Sequence, residues 1–262
     1  MEQKLMFEEY DALFDVIKDW VKERRFVTAD DLVEAFSIEL PVAEMSIKKL
    51  QEEGAIDKEA TGERGYHVNT FSLWMKIYLL DKSEAMADAW KEAFGDTTEI
   101  EIVQDNFHHF METHEPEVIV NAGNSFGEMT GGIDLAISEF FGWGLQKRVQ
   151  AKIEKECFGE QPVGSVLVIE NIDGIDTKLY HVPSMRLPQI ILEPLTIYQC
   201  TRVALMTAIK EKAGSIVLPA FGGGCGEVPP SIIAKQMKDA IEQLLPYLRS
   251  GQPADSSARY RG

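Results

Sequence analysis

The chain has 262 residues, of which 45% are hydrophobic and 26% charged, and this ordinary globular composition excludes a collagen-like, coiled-coil or largely disordered chain. Its net charge of −17 excludes long-range attraction to nucleic-acid phosphates, so any contact with them would need a local basic patch. No apolar run approaches the roughly 18 residues of a membrane span, and the N-terminus lacks a secretory signal, which predicts a cytoplasmic protein. Cys157, Cys200 and Cys225 are too few and too widely spaced for a disulfide framework or a zinc knuckle.

The first 70 residues predict three helices followed by a hairpin. Apolar residues recur at helical spacing from Leu13 to Val21. Thr28 is suited to cap a second helix, and Pro41 to begin a third. Residues 55–57 and 66–68 alternate around a polar turn and predict the hairpin. This order resembles a winged helix-turn-helix module over residues 1–70.

Such a module would bind DNA through its third helix, or would serve as a protein-docking or dimerisation module. Residues 1–70 hold 9 Lys/Arg and 17 Asp/Glu, a net charge of −8. The third helix carries Lys48 and Lys49 among several glutamates. Because phosphate contacts need cations, the charge favours a protein partner over DNA.

Residues 74–247 alternate between strand and helix patterns. Runs rich in Val and Ile, such as EVIVNA and SIVLPA, predict buried strands, and stretches such as LQKRVQAKIEKECF predict helices between them. This alternation indicates an α/β layer with a largely parallel sheet. Residues 251–262 predict a flexible tail.

Two glycine-rich loops follow predicted strands. The first has the sequence NAGNSFGEMTGGID over residues 121–134, and the second has PAFGGGCGEVP over residues 219–229. Glycines at the carboxyl ends of strands allow backbone N–H groups to approach an anion, and the following helix adds a partial positive charge. Neither loop has the lysine of a phosphate-binding P-loop, and the second lies in the last strand–helix unit rather than the first, which argues against a dinucleotide fingerprint. The pair therefore predicts a diphosphate held from both sides by backbone donors.

In their order and spacing the two loops resemble those of the macrodomain family, and the resemblance covers about residues 74–247. The Asn-Ser-Phe-Gly segment and the sequence VPSMRLP resemble a divergent branch found in bacteria and fungi. The resemblance implies a three-layer α/β/α fold with a mixed, largely parallel sheet, following the small winged-helix-like domain. It also implies a pocket for ADP-ribose or an ADP-ribosyl derivative, with no cofactor and no metal.

The resemblance also implies roles for single residues. Asp105 would accept a hydrogen bond from the adenine amino group, and Asn124 would bind the hydroxyls of the distal ribose. Asp134, ten residues after Asn124, would orient or deprotonate a water near the distal ribose. Asn124 and Asp134 are thus the predicted catalytic pair. The remaining predicted ligand contacts are Asn106, Asn121, Ser125, Phe126, Gly131, Gly132, Ile133, Ala220, Phe221, Gly222, Gly223, Gly224, Cys225 and Gly226.

Three other features have weaker interpretations. Cys225 stands where many relatives carry an aromatic residue, so Phe126 or Trp143 would have to supply one, or the pocket is open. As a nucleophile Cys225 would need a base, for which only His181 lies on a suitable strand, and a small residue that permits close backbone approach is the favoured interpretation. Histidines and a glutamate in residues 108–114 have the spacing of metal ligands, although a polar helix or loop explains them better.

Two functions follow from these patterns. The first is a hydrolase that acts on ADP-ribosylated side chains, ADP-ribose 1″-phosphate or O-acetyl-ADP-ribose. The second is a sensor that passes ligand binding to DNA or a protein partner through residues 1–70. A macrodomain that has lost its ligand and serves as a scaffold is a third alternative.

Overall fold

The computed structural model describes residues 2–21, 24, 26–53, 55–57, 59–60, 62–68, 73–95, 100–170, 172 and 176–250. The predicted tail, residues 251–262, lies outside this part of the chain. The chain divides into two compact units between residues 72 and 73. The domain limits inferred from the sequence stay predictions.

The N-terminal unit contains three helices and a small antiparallel sheet. Its elements in chain order are α1 (Glu2–Val21), β1 (Phe26–Val27), α2 (Ala29–Phe36), α3 (Leu40–Glu52), a 3₁₀ turn (Gly62–Arg64) and β2 (Tyr66–His67). The helices pack around a buried apolar cluster that includes Phe14, Ile17, Leu32 and Leu50. This cluster gives the unit a hydrophobic core of its own.

Local capping chemistry defines where α2 begins. The Thr28 hydroxyl accepts a hydrogen bond from the Asp31 backbone N–H at 3.0 Å, and the Asp31 carboxylate accepts one from the Thr28 N–H at 2.8 Å. These reciprocal bonds form a capping box, which satisfies two backbone donors at the helix start. The sequence identified Thr28 for this role, and the structure confirms it.

The predicted hairpin of residues 55–57 and 66–68 forms only in part. Ile56 and Val68 make an isolated antiparallel bridge. Strand β2, however, pairs with β1, in the register Phe26↔His67 and Val27↔Tyr66. Strand β1 could not be predicted, because a strand of two residues has no measurable hydrophobic period.

The second unit is built on a six-stranded sheet. Its elements in chain order are β3 (Lys76–Asp81), α4 (Glu84–Phe94), β4 (Ile100–Gln104), α5 (Phe107–Thr113), β5 (Val118–Asn124), α6 (Gly132–Phe141), α7 (Gly144–Cys157), β6 (Leu167–Ile169), β7 (Lys178–Met185), α8 (Leu195–Glu211), β8 (Ser215–Pro219) and α9 (Pro230–Ser250). The strand order is β4-β3-β8-β5-β7-β6, and every neighbouring pair is parallel except β6 with β7. The predicted α/β layer with a mixed, mostly parallel sheet is confirmed.

Helices cover both faces of this sheet. Alternate residues along a strand point to opposite faces. Val118 and Val120 of β5 join a core with α4, α8 and α9, while Ile119 joins a second core with α5, α6 and α7. Burial on both faces explains why the strands read as continuous apolar runs rather than as alternating ones. It also leaves the carboxyl ends of the strands as the place where polar side chains and loops gather.

Candidate functional site

A pocket of about 730 Å³ opens at the carboxyl ends of the parallel strands. It extends from the residues after β4 and β3, across β8 and β5, to the end of β7. Both predicted glycine loops line it, since one follows β5, the other follows β8, and these strands are neighbours in the sheet. Ligands of open α/β sheets bind in this position, because the loops between strands and helices converge there.

Most of the predicted site residues line this pocket. They are Asp105, Asn106, Asn124, Gly131, Gly132, Ile133, Asp134, Ala220, Gly222, Gly223, Gly224, Cys225 and Gly226. Four predicted residues are not among the residues that line it: Asn121, Ser125, Phe126 and Phe221.

The first loop is shaped by the side chain of Asn124. Its amide nitrogen donates to the Glu128 carbonyl at 3.1 Å, and its amide oxygen accepts from the Phe126 N–H at 3.0 Å. These bonds fold the loop back on the end of β5. Asn124 thus supports the loop and lines the pocket at the same time.

The start of α6 offers free backbone donors to the pocket. Gly131 is the N-cap residue, and no side chain caps the helix there. The first N–H groups of any helix lack partners within the helix, so an uncapped start that faces a cavity is a site for an anion. Gly132 has φ +57°, a conformation that a residue with a side chain rarely adopts, and open space surrounds both glycines.

The second loop is held tightly by its own backbone. The Val228 N–H donates to the Gly222 carbonyl at 3.1 Å, and the Ile191 N–H donates to the Gly226 carbonyl at 2.9 Å. A Cβ atom at Gly226 would lie 2.7 Å from the Gly222 carbonyl oxygen, so this position requires glycine. Gly224 faces open space instead, where a ligand can approach the backbone.

Asp134 is a carboxyl group buried at the edge of the pocket. Its side chain is 5% exposed, and its Oδ1 accepts a hydrogen bond from the Asn121 amide at 2.7 Å. Burial raises the pKa of the Asp134 carboxyl to about 7, and the bond from Asn121 only partly opposes this. A carboxyl group with a pKa near 7 is suited to take or give a proton at neutral pH.

Asn121 lies beneath Asp134 and is fully buried. Its amide oxygen accepts from the Val182 N–H at 3.2 Å, while its amide nitrogen donates to Asp134. Both ends of the amide are therefore used inside the protein. The sequence interpretation made Asn121 a ligand contact, whereas this geometry makes it the group that positions Asp134.

Asp105 and Asn106 lie at the opposite end of the pocket, after β4. The Asp105 carboxylate accepts from the Asn106 N–H at 2.7 Å and from His109 Nδ1. The hydrogen bond with His109 lowers the pKa of Asp105, and Asp105 in turn raises the pKa of His109. Asn106 caps α5 by accepting from the His109 N–H at 3.0 Å. Asp105 is thus a carboxylate held ionised at the pocket wall.

The other predicted contacts serve the surroundings of the pocket. Ser125 is buried, and its N–H lies 3.2 Å from the carbonyls of Met185 and Arg186. The Arg186 guanidinium stands over the Phe126 ring at 5.2 Å. Phe221 belongs to the apolar core. The Ser125 backbone and the Phe126 ring thus hold the first loop to the end of β7, and Phe221 anchors the second loop in the core.

The structure gives Cys225 and its candidate base His181 different partners. The His181 imidazole is fully buried and its Nδ1 lies 2.6 Å from the Gln161 amide oxygen, whereas the Cys225 sulfur lies 3.5 Å from that of Met185.

Across the described residues, no three His, Cys, Asp or Glu side chains are grouped as metal ligands. Residues 107–113 form α5, which agrees with a polar helix. None of the described helices is both long and apolar enough to cross a membrane.

Sequence reasoning missed several residues of the pocket. Lys82 follows β3, Glu128 and Thr130 lie in the first loop, and Ser184 and Met185 end β7. Their position after predicted strands was the one available signal, since carboxyl ends of parallel strands share one edge of the sheet. Among the described lining residues Lys82 is the only lysine or arginine.

Comparison with known proteins finds a family model that matches the part of the chain holding both glycine loops. The family model described as "Macro domain" matches residues 120–237. An uncharacterized protein of Aquifex aeolicus is 31% identical over 133 residues, which are 50% of this chain and 76% of that protein. One from Pyrobaculum aerophilum is 33% identical over 137 residues, 52% of this chain and 72% of the other. The structure of the Oceanobacillus iheyensis macrodomain with ADP is 26% identical, covers 50% of this chain and 70% of that one, and has a TM-score of 0.45. Residues 120–237 of this chain thus form a macro domain.

Proposed function

We propose that the pocket binds ADP-ribose or an ADP-ribosyl derivative and that the protein hydrolyses the linkage at the distal ribose. The observation that carries this proposal is the pair of glycine loops that face one cavity from adjacent strands. In this assignment the diphosphate lies between the uncapped start of α6 and the loop at residues 222–226. The backbone N–H groups supply most of the binding, because the described lining side chains include a single lysine and no arginine.

The orientation of the ligand follows from the two ends of the pocket. The ionised Asp105 carboxylate can only accept hydrogen bonds, so it is suited to the adenine amino group, which donates them. The distal ribose then extends past the diphosphate toward Asn124 and Asp134. This placement brings the anomeric carbon of that ribose to Asp134, the carboxyl group whose pKa burial raises to about 7.

Asp134 would act as the general base in this reaction. In its ionised form it takes a proton from a water that attacks the linkage, and Asn121 keeps the carboxyl group in one orientation. The bond attacked is an ester to an acidic side chain, a 1″-phosphate or an O-acetyl ester. The three substrates share the ADP-ribosyl part, so the pocket alone does not choose among them.

Calorimetric titration with ADP-ribose tests the binding step, with AMP and NAD as controls. We expect saturable binding that prefers ADP-ribose, and an absence of binding would refute the ligand assignment. Turnover of the three substrate types is then compared for wild type, Asp134→Asn and Glu139→Gln. Glu139 is an exposed carboxyl group on the same helix and at the same pocket, so it is a matched control.

The pH dependence separates the role of Asp134 as a base from a purely structural one. With a pKa of about 7, the ionised fraction of Asp134 grows as the pH rises from 5 to 8. The wild-type kcat/KM should therefore rise about tenfold per pH unit below 7 and level off above it. A flat profile, or an Asp134→Asn variant with wild-type turnover, would contradict the catalytic role.

A sensor is the second candidate function, and the separate core of the N-terminal unit favours it. In this case the pocket binds its ligand without turnover, and the winged-helix-like module of residues 1–70 contacts a partner. Lys49 of α3 pairs with Asp11 at 2.9 Å and Lys48 lies 4.0 Å from Glu52, which favours a protein partner over DNA. Fluorescence anisotropy with labelled duplex DNA, with and without ADP-ribose, tests the DNA alternative, for which ligand-dependent binding is the supporting result.

A further inference from the structure

Ser184 occupies an irregular position at the end of β7. Strands β5 and β7 pair in regular register up to Gly123↔Pro183, and the next pair is Asn124↔Met185. Ser184 is thus the extra residue of a β-bulge and has no partner on β5. Bulges next to sites redirect a side chain, and they are rare between parallel strands.

The Ser184 hydroxyl is a buried polar group without a partner. The residue is 1% exposed, and its Oγ makes no hydrogen bond to any described part of the chain. Most buried hydroxyls are hydrogen-bonded, and leaving one without a partner destabilises the protein. Trp90 Nε1 and His181 Nε2 are also unpartnered, but neither residue lines the pocket, whereas Ser184 does. The orphaned hydroxyl therefore points to a ligand group that is bound in the pocket.

The position of Ser184 across the sheet indicates which part of the ligand it meets. Asp105 follows β4, and Ser184 lies on β7, four strands away in the order β4-β3-β8-β5-β7. At about 4.8 Å between strands, the two ends of the pocket are about 19 Å apart. With adenine at Asp105 and the diphosphate above β8 and β5, the group that reaches β7 is the sugar beyond the diphosphate.

We propose that the Ser184 hydroxyl forms a hydrogen bond with a hydroxyl group of the distal ribose and so makes the pocket prefer ligands that carry this sugar. The inference rests on the proposed function, because it assumes an ADP-ribosyl ligand in the stated orientation. Ser184 is a specificity-determining contact in this assignment and takes no part in proton transfer. It complements Asn124, which borders the same end of the pocket from β5.

The test compares ADP-ribose with ADP, which lacks the distal ribose. Calorimetry gives Kd for both ligands with wild type, Ser184→Ala and Ser46→Ala, and thermal melting gives the stability of each protein without ligand. Ser46 is an equally buried serine in the N-terminal unit, but its hydroxyl donates to the Val42 carbonyl at 2.9 Å. It is thus a serine-to-alanine change of the same chemistry away from the pocket lining.

We expect Ser184→Ala to raise Kd for ADP-ribose by about 2- to 12-fold, because one neutral hydrogen bond is lost. Kd for ADP should stay unchanged. Because Ser184 Oγ has no partner in the protein, the melting temperature of Ser184→Ala should equal or exceed that of wild type. Ser46→Ala should keep both Kd values and melt lower. Should Ser184→Ala melt below wild type, Ser184→Cys keeps the size with a poor hydrogen-bonding group and serves for the same comparison.

Three results would overturn this assignment or its basis. An unchanged Kd for ADP-ribose in Ser184→Ala overturns the contact with the distal ribose. An equal loss for ADP-ribose and ADP also overturns it, because the hydroxyl then supports the pocket as a whole. A wild-type protein that binds neither ligand overturns the proposed function and this inference with it.

Discussion

The buried carboxyl group of Asp134 predicts that the protein is destabilised by its own candidate base. The pKa of an aspartate is ordinarily near 3.9, and burial raises that of Asp134 to about 7. The folded state therefore holds this proton to a higher pH than the unfolded state does. The contribution to stability is fully present below pH 4 and is lost as the pH rises through 7. At pH 8 the folded protein carries an ionised group in a buried place.

Replacing Asp134 by asparagine removes this penalty while the shape is kept. The new amide oxygen can still accept the bond from the Asn121 amide, which spans 2.7 Å in the wild type. Raising the pKa of Asp134 from about 3.9 to about 7 corresponds to at most about 4 kcal/mol at pH 8, where the wild-type carboxyl group is ionised. In a domain of this size 1 kcal/mol moves Tm by about 2–4 °C. A gain of about 2 kcal/mol, which is half of the limit of about 4 kcal/mol, therefore raises Tm by about 4–8 °C.

Scanning calorimetry at pH 5 and pH 8 measures this difference. We expect Asp134→Asn to melt well above wild type at pH 8 and to exceed it by about a third as much at pH 5, where the carboxyl group is protonated in the folded state but already ionised in the unfolded state. Glu139→Gln, the exposed control on the same helix, should match wild type at both pH values. A difference between Asp134→Asn and wild type that is the same at pH 5 and pH 8 would refute the assignment of a buried, titrating carboxyl group.

Two further predictions concern backbone requirements. Gly226→Ala should lower both the melting temperature and the affinity for ADP-ribose, because the new Cβ would lie 2.7 Å from the Gly222 carbonyl oxygen. Gly224 faces open space, so Gly224→Ala should keep the melting temperature and lower only the affinity. Equal melting temperatures for the two variants, measured by circular dichroism, would contradict this. Thr28→Ala should destabilise the N-terminal unit by about 0.5–2 kcal/mol through loss of the capping box, which urea unfolding measures. Kd for ADP-ribose, measured by calorimetry, should stay unchanged.

The elements and the two loops of the second unit could be predicted because their signals are local. Strands such as β5 and β8 are runs of branched apolar residues, and Ser83 and Asn106 are typical N-cap residues of the helices that follow them. The glycine loops mark the carboxyl ends of two strands. Parallel strands bring such ends to one edge, so the alternation of strands and helices predicted that both loops lie at the same edge of the sheet.

The parts that could not be predicted depend on contacts between distant segments. The insertion of β8 between β3 and β5 is a matter of tertiary topology, and it is this insertion that makes the two glycine loops neighbours. The bulge at Ser184 arises from a register shift against β5, which the sequence of β7 does not reveal. Asn121 likewise reads as part of the first loop motif, although its amide faces Asp134 and Val182.

The start of α6 explains how an acidic protein can offer a site to a diphosphate. A carboxylate in the first turn of a helix ordinarily gains from the partial positive charge there, which lowers its pKa. Asp134 occupies the first turn of α6, yet its pKa is raised, so desolvation outweighs the helix dipole at this position. At neutral pH the group is therefore partly uncharged and neutralises the helix start less than a fully ionised carboxylate would. The uncapped N–H groups of that turn remain available to an anionic ligand. More distant carboxylates repel such a ligand, but salt screens this repulsion over about 8 Å. Short-range hydrogen bonds from the helix start can therefore offset it.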